Sequence, residues 1–307
     1  MNVSLTAWIA LLAVVLVMLL VDLLMHRESH EISVKEAGAW TALWVALGVA
    51  VGGVIWWQYG MDYAMQYYAG YIIEKSLAID NVFVWAVIFG FFAIPPKYQH
   101  RILFYGVLGA LVLRAGFIAA GSVLITQFSW TLYIFGGFLV FTGLKMLRQR
   151  NSHAQPGDSR LVRWFQRVVP STSEIHGDRF IVRDGVRRLA TPLLTALVVV
   201  EATDVIFAVD SIPAIFAVTQ EPFLVFASNA LAILGLRAMY FLLADLMHRF
   251  VYLKIGLALV LVWVGIKMLV GHSLLHIPIT LSLAVVVAIL ASSIGASLLK
   301  TRNDSAR

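Results

Sequence analysis

Nine stretches of about twenty mostly apolar residues dominate this chain, each long enough to cross the hydrocarbon core of a bilayer as a helix. They fall near 7–25, 37–57, 72–94, 102–126, 130–147, 191–212, 222–245, 250–270 and 277–299 of the 307 residues. The expected fold is therefore all-α: a polytopic membrane protein of about nine transmembrane helices, forming a single integral membrane domain over 1–307. Charged residues make up only 13% of the chain, about half the share in a typical soluble domain. With a mean hydropathy of +0.87, the chain has too little polar surface for a cytosolic enzyme or a nucleic-acid binder. The first segment does not read as a cleaved signal peptide, because Met1 to Thr6 carries no Lys or Arg. There is no cysteine, which excludes disulfides, thiolate catalysis and cysteine-ligated metals.

Basic residues orient the segments. One alternating set of loops and tails holds eighteen of the 23 Lys and Arg residues, including Arg27, Lys35, Lys97, Arg101, Arg249 and Lys254. The other set, 1–6, 58–71, 127–129, 213–221 and 271–276, holds none. This predicts an N-terminus outside the cytoplasm and a C-terminus inside it. The one long connection, 148–190, is a basic cytoplasmic loop carrying nine arginines. Within it, 160–167 reads as a short amphipathic helix on the inner surface. The Asp184-Gly185 pair suggests a small hairpin around 180–187.

The sequence repeats at low similarity. Gly143-Leu-Lys-Met-Leu147 recurs 122 positions on as Gly265-Ile-Lys-Met-Leu269. Leu113-Arg-Ala115 recurs at an offset of 123 as Leu236-Arg-Ala238, and Asp80-Asn-Val-Phe83 at 124 as Asp204-Val-Ile-Phe207. These matches equate segments three to five with segments six to eight. A unit of three spans is odd, so the two copies run through the membrane in opposite directions. Such an inverted 3+3 repeat typifies secondary transporters, whose site lies where the halves meet.

Ionisable residues in hydrocarbon cost about 2.5–3.5 kcal/mol or more each, so they mark function or pairing. The third segment carries Glu74, Lys75, Asp80 and Asn81; its repeat partner carries Glu201, Asp204 and Asp210. Counting 1.5 Å per residue puts Asp80 and Asp204 both about 10–12 Å below the outer face. Glu201 and Asp204 share a helical face. Pro213 is expected to break its helix near Asp210, freeing the Val209 carbonyl as a further oxygen. Carboxylate, amide and carbonyl oxygens suit hard cations such as Mn²⁺, Mg²⁺ or Ca²⁺. The metal candidates are Asp80, Asn81, Glu201, Asp204, Glu74 and Asp210, with Arg114 and Arg237 as charge-pairing groups inside the fourth and seventh segments. Pairing to those arginines is the plain structural alternative. Asn229 is a weaker candidate, and Asp22 and Asp245 sit at inner helix ends.

Glu74-Lys-Ser-Leu-Ala-Ile-Asp-Asn-Val-Phe83 and Glu201-Ala-Thr-Asp-Val-Ile-Phe-Ala-Val-Asp-Ser-Ile-Pro-Ala-Ile-Phe216 resemble signatures of the TerC family of bacterial integral membrane proteins, in particular its Alx branch. The resemblance implies a multi-pass inner-membrane protein associated with manganese export and metal homeostasis. Older descriptions of that branch as a redox modulator find no support in a sequence without cysteine.

The reading is a secondary transporter, not an enzyme, that exports Mn²⁺ or a similar hard divalent cation from the bacterial cytoplasm. Asp80, Glu201 and Asp204 would form the central site with Asn81, and Glu74 and Asp210 would lie toward the outer exit. No cofactor is expected to be tightly bound; Mn²⁺ is cargo. The partners are the divalent ion and the bilayer, with no nucleic acid, and a homo-oligomer is left open. Two alternatives remain: a membrane scaffold that delivers metal to secreted proteins, and an intramembrane acid–base enzyme built on paired aspartates. The orientation is directly testable. A reporter inserted near Pro156 or fused after Arg307 should report cytoplasm, and one near Asp62 or Glu221 the outside; a cytoplasmic signal at Asp62 would overturn both the nine spans and the inverted repeat.

Overall fold

The computed structural model describes residues 1, 3–25, 34–128, 130–148, 169–184, 187–243, 252–271 and 278–305. Ten helices and one hairpin account for nearly all of them. The first five helices are α1 (Leu5–Met25), α2 (Val34–Tyr59), α3 (Met61–Phe91), α4 (Pro96–Gln127) and α5 (Thr131–Arg148). After the hairpin come α6 (Pro192–Phe216), α7 (Pro222–Ile233), α8 (Leu236–Leu243), α9 (Leu253–Gly271) and α10 (Ile279–Ser305). The molecule is thus all-α apart from strands β1 (Ile181–Asp184) and β2 (Arg187–Ala190). These strands pair antiparallel, with Asp184 opposite Arg187, as the Asp-Gly pattern predicts. The expected amphipathic helix at 160–167 lies outside the described residues.

Six of the helices are long and apolar enough to cross a membrane by themselves, and a seventh span arises if α7 and α8 count as one bent segment. The other two helices matched to apolar segments fall outside that count. In α3 the apolar run is interrupted by Asp62, Glu74, Lys75 and Asp80, and the apolar part of α9 is confined to Ile255–Val270. Large apolar side chains such as Leu5, Ile9, Leu16, Val112, Phe141 and Leu299 are exposed. In water such a surface would drive aggregation, whereas in lipid it has the solvent it needs.

The interior is built by helix pairs. α3 packs against α7 and α6, α4 against α6, and α5 against α9. α2 lies on α3 and α8, while α10 covers α9. Small residues permit the closest of these approaches. A Cβ on Gly265 would lie 2.8 Å from the Gly136 carbonyl oxygen and 2.9 Å from the Val140 amide nitrogen. One on Gly143 would lie 2.7 Å from the Ala258 carbonyl oxygen. On the other side of the molecule Gly48 and Gly52 of α2 make room for the rings of Tyr71 and Tyr68, and the Tyr67 hydroxyl donates to the Gly48 carbonyl at 2.7 Å.

One expectation fails. α6 does not break at Asp210–Pro213; it runs through Pro213 to Phe216, and the Ala217 amide closes the last turn on the Pro213 carbonyl at 3.0 Å. A proline removes a single hydrogen bond, here the one to the Val209 carbonyl. With the helix ending one turn later, that loss does not interrupt it. The interruption lies instead between α7 and α8, which meet at a bend of 40°. There Gly235 has φ +85, a conformation that side chains on L-residues resist.

The α5–α9 crossing yields a stability test. Gly265→Ala places a methyl against backbone atoms that have no rotamer to yield, so α5 and α9 must separate. We expect a loss of about 1–3 kcal/mol, read as a lower melting temperature in detergent. The control Gly137→Ala meets open space and should melt like the parent.

Candidate functional site

The most strongly charged part of the interior lies where α3, α4 and α6 meet. Glu74 and Asn81 are seven residues apart on α3 and therefore share one face two turns apart, as do Asp204 and Ser211 on α6. Arg114 comes from the middle of α4 and lies between the two helices. All five residues are buried, each with no more than 3% of its surface exposed.

Arg114 organises this cluster through its planar fork of donors. Its Nε donates to Asp204 Oδ2 at 3.1 Å and its Nη2 to Asp204 Oδ1 at 2.9 Å, a bidentate pair. Nη1 donates to Glu74 Oε1 and, at 3.1 Å, to Ser211 Oγ. The Asn81 amide nitrogen donates to Asp204 Oδ1 at 3.1 Å. Both Asp204 oxygens are therefore engaged. Glu74 Oε2 and Asn81 Oδ1 are buried and have no hydrogen-bond partner. An unsatisfied buried oxygen is costly, and Glu74 and Asn81 line one cavity of about 30 Å³ together with Arg114, Asp210 and Ser211 and the apolar Leu77, Met146, Phe207 and Leu261. That volume suits about two water-sized occupants. Asp210 reaches the same cavity without any break in α6, and Thr142 and Lys145 of α5 face it.

The remaining candidates are placed differently. Glu201 is one turn before Asp204 but lies against Gly109 of α4, where any Cβ would come within 2.1 Å of its Oε1. Its Oε2 is buried and unpartnered. Asp80 lies on α3, but its side chain is outside the described residues. Arg237 does not join the cluster: on α8 it donates to the Asp22 carbonyl at 2.8 Å and pairs with Asp22 Oδ1 at 3.0 Å. Asn229 is buried with an unpartnered Nδ2, away from the cavity lining. Among the described residues no three His, Cys, Asp or Glu side chains are grouped to hold a metal ion. Ser211 was not singled out from sequence, although its spacing from Asp204 is the signal that places it.

Chemically, the cluster sets two carboxylates against one guanidinium, with a third carboxylate at the cavity edge. It offers oxygen donors and excess negative charge, which attract a cation and repel an anion.

The chain matches the family model described as "Integral membrane protein TerC family" over residues 59–305. It is 49% identical over 297 residues to "Uncharacterized membrane protein STKORF319" of Myxococcus xanthus, covering 96% of this chain and 93% of that one. It is 57% identical over 221 residues to "Putative membrane-bound redox modulator Alx" of Escherichia coli (strain K12), covering 72% of this chain and 68% of that one. A membrane protein of Rickettsia bellii is 42% identical over 233 residues, covering 76% and 77% of the two chains. No solved structure matches.

The two arginines should differ sharply when removed. Arg114→Met strands Glu74 and Asp204 in the interior, and losing the partner of a buried ion pair costs about 3–5 kcal/mol. Arg237→Met takes one partner from Asp22, whose side chain keeps 15% exposure. Thermal melts of both variants in the same detergent should therefore show the larger drop for Arg114→Met, and equal drops would mean that the guanidinium is not what holds the three helices together.

Proposed function

We propose that this chain, which belongs to the TerC family of integral membrane proteins, is a secondary transporter that exports Mn²⁺ or a similar hard divalent cation across the bacterial inner membrane. One observation carries the reading. Glu74 and Asn81, each of which keeps one buried oxygen without a partner, line a cavity that Asp210 also lines. A carboxylate and an amide oxygen left bare in the interior are a poor structural solution and a good partial ligand set for a hard cation. In this reading Asp80, the residue before Asn81, and Asp204 complete the set. Arg114 holds Asp204 and Glu74 in place between ions. Glu201 in its notch on α4 is a second carboxylate along the path.

The inverted repeat that the mechanism requires is supported by the packing. At the offset of 122, Gly143 corresponds to Gly265 and Gly136 to Ala258. Gly143 packs on Ala258 and Gly265 packs on Gly136, so exchanging the two halves turns one contact into the other. The α3–α7 and α6–α4 pairings exchange in the same way. Nine spans with the N-terminus outside would then place the α3–α6 junction within the membrane, and one half rocking against the other would expose it to each side in turn.

The alternatives draw less support. An acid–base dyad needs two carboxylates sharing a proton, whereas Asp204 and Glu74 are separated by the guanidinium that binds both. A thiol redox role has no group to act through, since the chain has no cysteine. Metal delivery to secreted proteins would use the same cation site without net flux, and a flux assay separates the two.

The test is transport in sealed vesicles by purified protein. Asp80→Asn and Asp204→Asn keep side-chain size and remove charge. Each should lower Mn²⁺ flux by about tenfold or more while the protein still inserts and folds. Asp204→Asn takes the bidentate partner from Arg114 and should also melt lower, although Arg114 retains Glu74. Normal flux in both variants, or flux lost only through unfolding, would remove the site from these residues.

A further inference from the structure

The bend between α7 and α8 leaves main-chain carbonyls without helical partners in the protein interior, where Ala232, Ile233 and Leu234 are buried. The Leu234 amide still bonds the Ala230 carbonyl at 3.0 Å, but beyond it the ladder stops and resumes only in α8. Carbonyls freed in this way must be met from elsewhere in the protein. Lys75 of α3 meets them: its ammonium donates to the Ala232 carbonyl at 2.9 Å and reaches the Leu234 carbonyl at 3.5 Å. From the other side, Trp44 of α2 presses on Gly235 so closely that a Cβ there would lie 2.7 Å from the Trp44 side chain.

The two halves of the repeat show that the lysine and the bend belong together. At the offset of 124 that aligns Asp80 with Asp204, Lys75 corresponds to Val199. At the offset of 123 that aligns Arg114 with Arg237, Gly235 corresponds to Val112. α4, which contains Val112, runs unbroken from Pro96 to Gln127. The lysine lies in one half and the bend in the other, and they meet where α3 packs on α7–α8; the counterpart pairing, α6 on α4, has neither the ammonium nor the broken helix. Lys75 also immediately follows Glu74, so one turn of α3 touches Arg114 with one side chain and the bend with the next.

We propose that Lys75 is a positioning residue: as a tethered cation on the carbonyls of Ala232 and Leu234, it holds the α7–α8 bend and couples it to the Glu74–Arg114 cluster. A bend whose carbonyls are met by one charged side chain can open and reclose during turnover. Discontinuous helices with exposed carbonyls are where transporters commonly place such motion. This role rests on the transport reading, while the clamp itself does not.

Two measurements on Lys75→Met test it. Amide hydrogen exchange is followed by mass spectrometry over 234–240 and over α4, and Mn²⁺ flux is measured in vesicles against Mn²⁺ concentration. Exchange at 234–240 should rise about tenfold, with α4 unchanged. Maximal flux should fall about tenfold with the half-saturating concentration within about threefold of the parent, as for a residue that acts on turnover and leaves ion binding alone. Unchanged exchange at the bend, or a uniform rise across α3, α4 and α6, would overturn the clamp. Locally raised exchange with unchanged flux would overturn the positioning role. Absence of flux from the parent, with exchange still raised locally, would remove the transport reading and leave the clamp standing. If Lys75→Met does not accumulate, Lys75→Gln, which keeps an uncharged donor, is judged by the same outcomes.

Discussion

Arg114 is the constraint on which the interior depends. A guanidinium buried midway along a 32-residue helix would, left alone, cost several kcal/mol. It is tolerable only if carboxylates come to it with matching geometry, and they come from two other helices: Asp204 from α6 as a bidentate pair and Glu74 from α3. That requirement sets the relative height of α3, α4 and α6. Lipid-facing apolar side chains cannot do this, because a helix sliding along its axis exchanges one apolar contact for another at little cost. Register in this fold is therefore electrostatic, and packing follows it.

The same geometry defines what is left over. The guanidinium has enough donors to satisfy Asp204 fully but reaches only one oxygen of Glu74. Asn81 spends its amide nitrogen on Asp204 and leaves its oxygen bare. The cavity is thus lined by the unsatisfied remainder of a neutralising network. Its polar side belongs to a group of three acids set against Arg114 and, beside Asp210, Lys145, and its other side is apolar. A network with a second arginine would close it, and the molecule does hold a repeat-equivalent arginine. Arg237 is instead committed to Asp22 on α1.

Much of this could be read from the chain before any coordinates. Among the described residues the apolar segments coincide with the helices, though segment 222–245 holds two of them, α7 and α8. The buried acids and Arg114 stood out because each is expensive where it lies. The hairpin followed from a single Asp-Gly pair. What could not be read were features that depend on which face meets which neighbour. Glu201 shares a helical face with Asp204 by spacing, yet it lies in the notch at Gly109 of α4, and nothing in a one-helix argument contains α4. Pro213 looked like the helix breaker, but a proline one turn from a helix end removes too little to matter. The real interruption carries no proline; it rests on Gly235, whose positive φ is invisible until the chain is folded around Trp44.

If the two halves are inverted copies, as proposed, the departures from symmetry are as informative as the repeat. Two copies of one three-segment unit, inverted, would place equal groups on equal paths and make the two faces of the membrane equivalent. Here one arginine clamps the acids and its counterpart tethers α1, while one equivalent helix is straight and the other is bent. Few positions separate the two copies at these points: Val199 is the counterpart of Lys75, and Gly235 that of Val112. A charge that satisfies broken backbone permits the break, and without it the bent helix would expose carbonyls that hydrocarbon cannot accept. The order of dependence follows from that physics. The bend needs the lysine more than the lysine needs the bend, because a long flexible ammonium can snorkel toward the interface and a buried carbonyl cannot move away from its own helix.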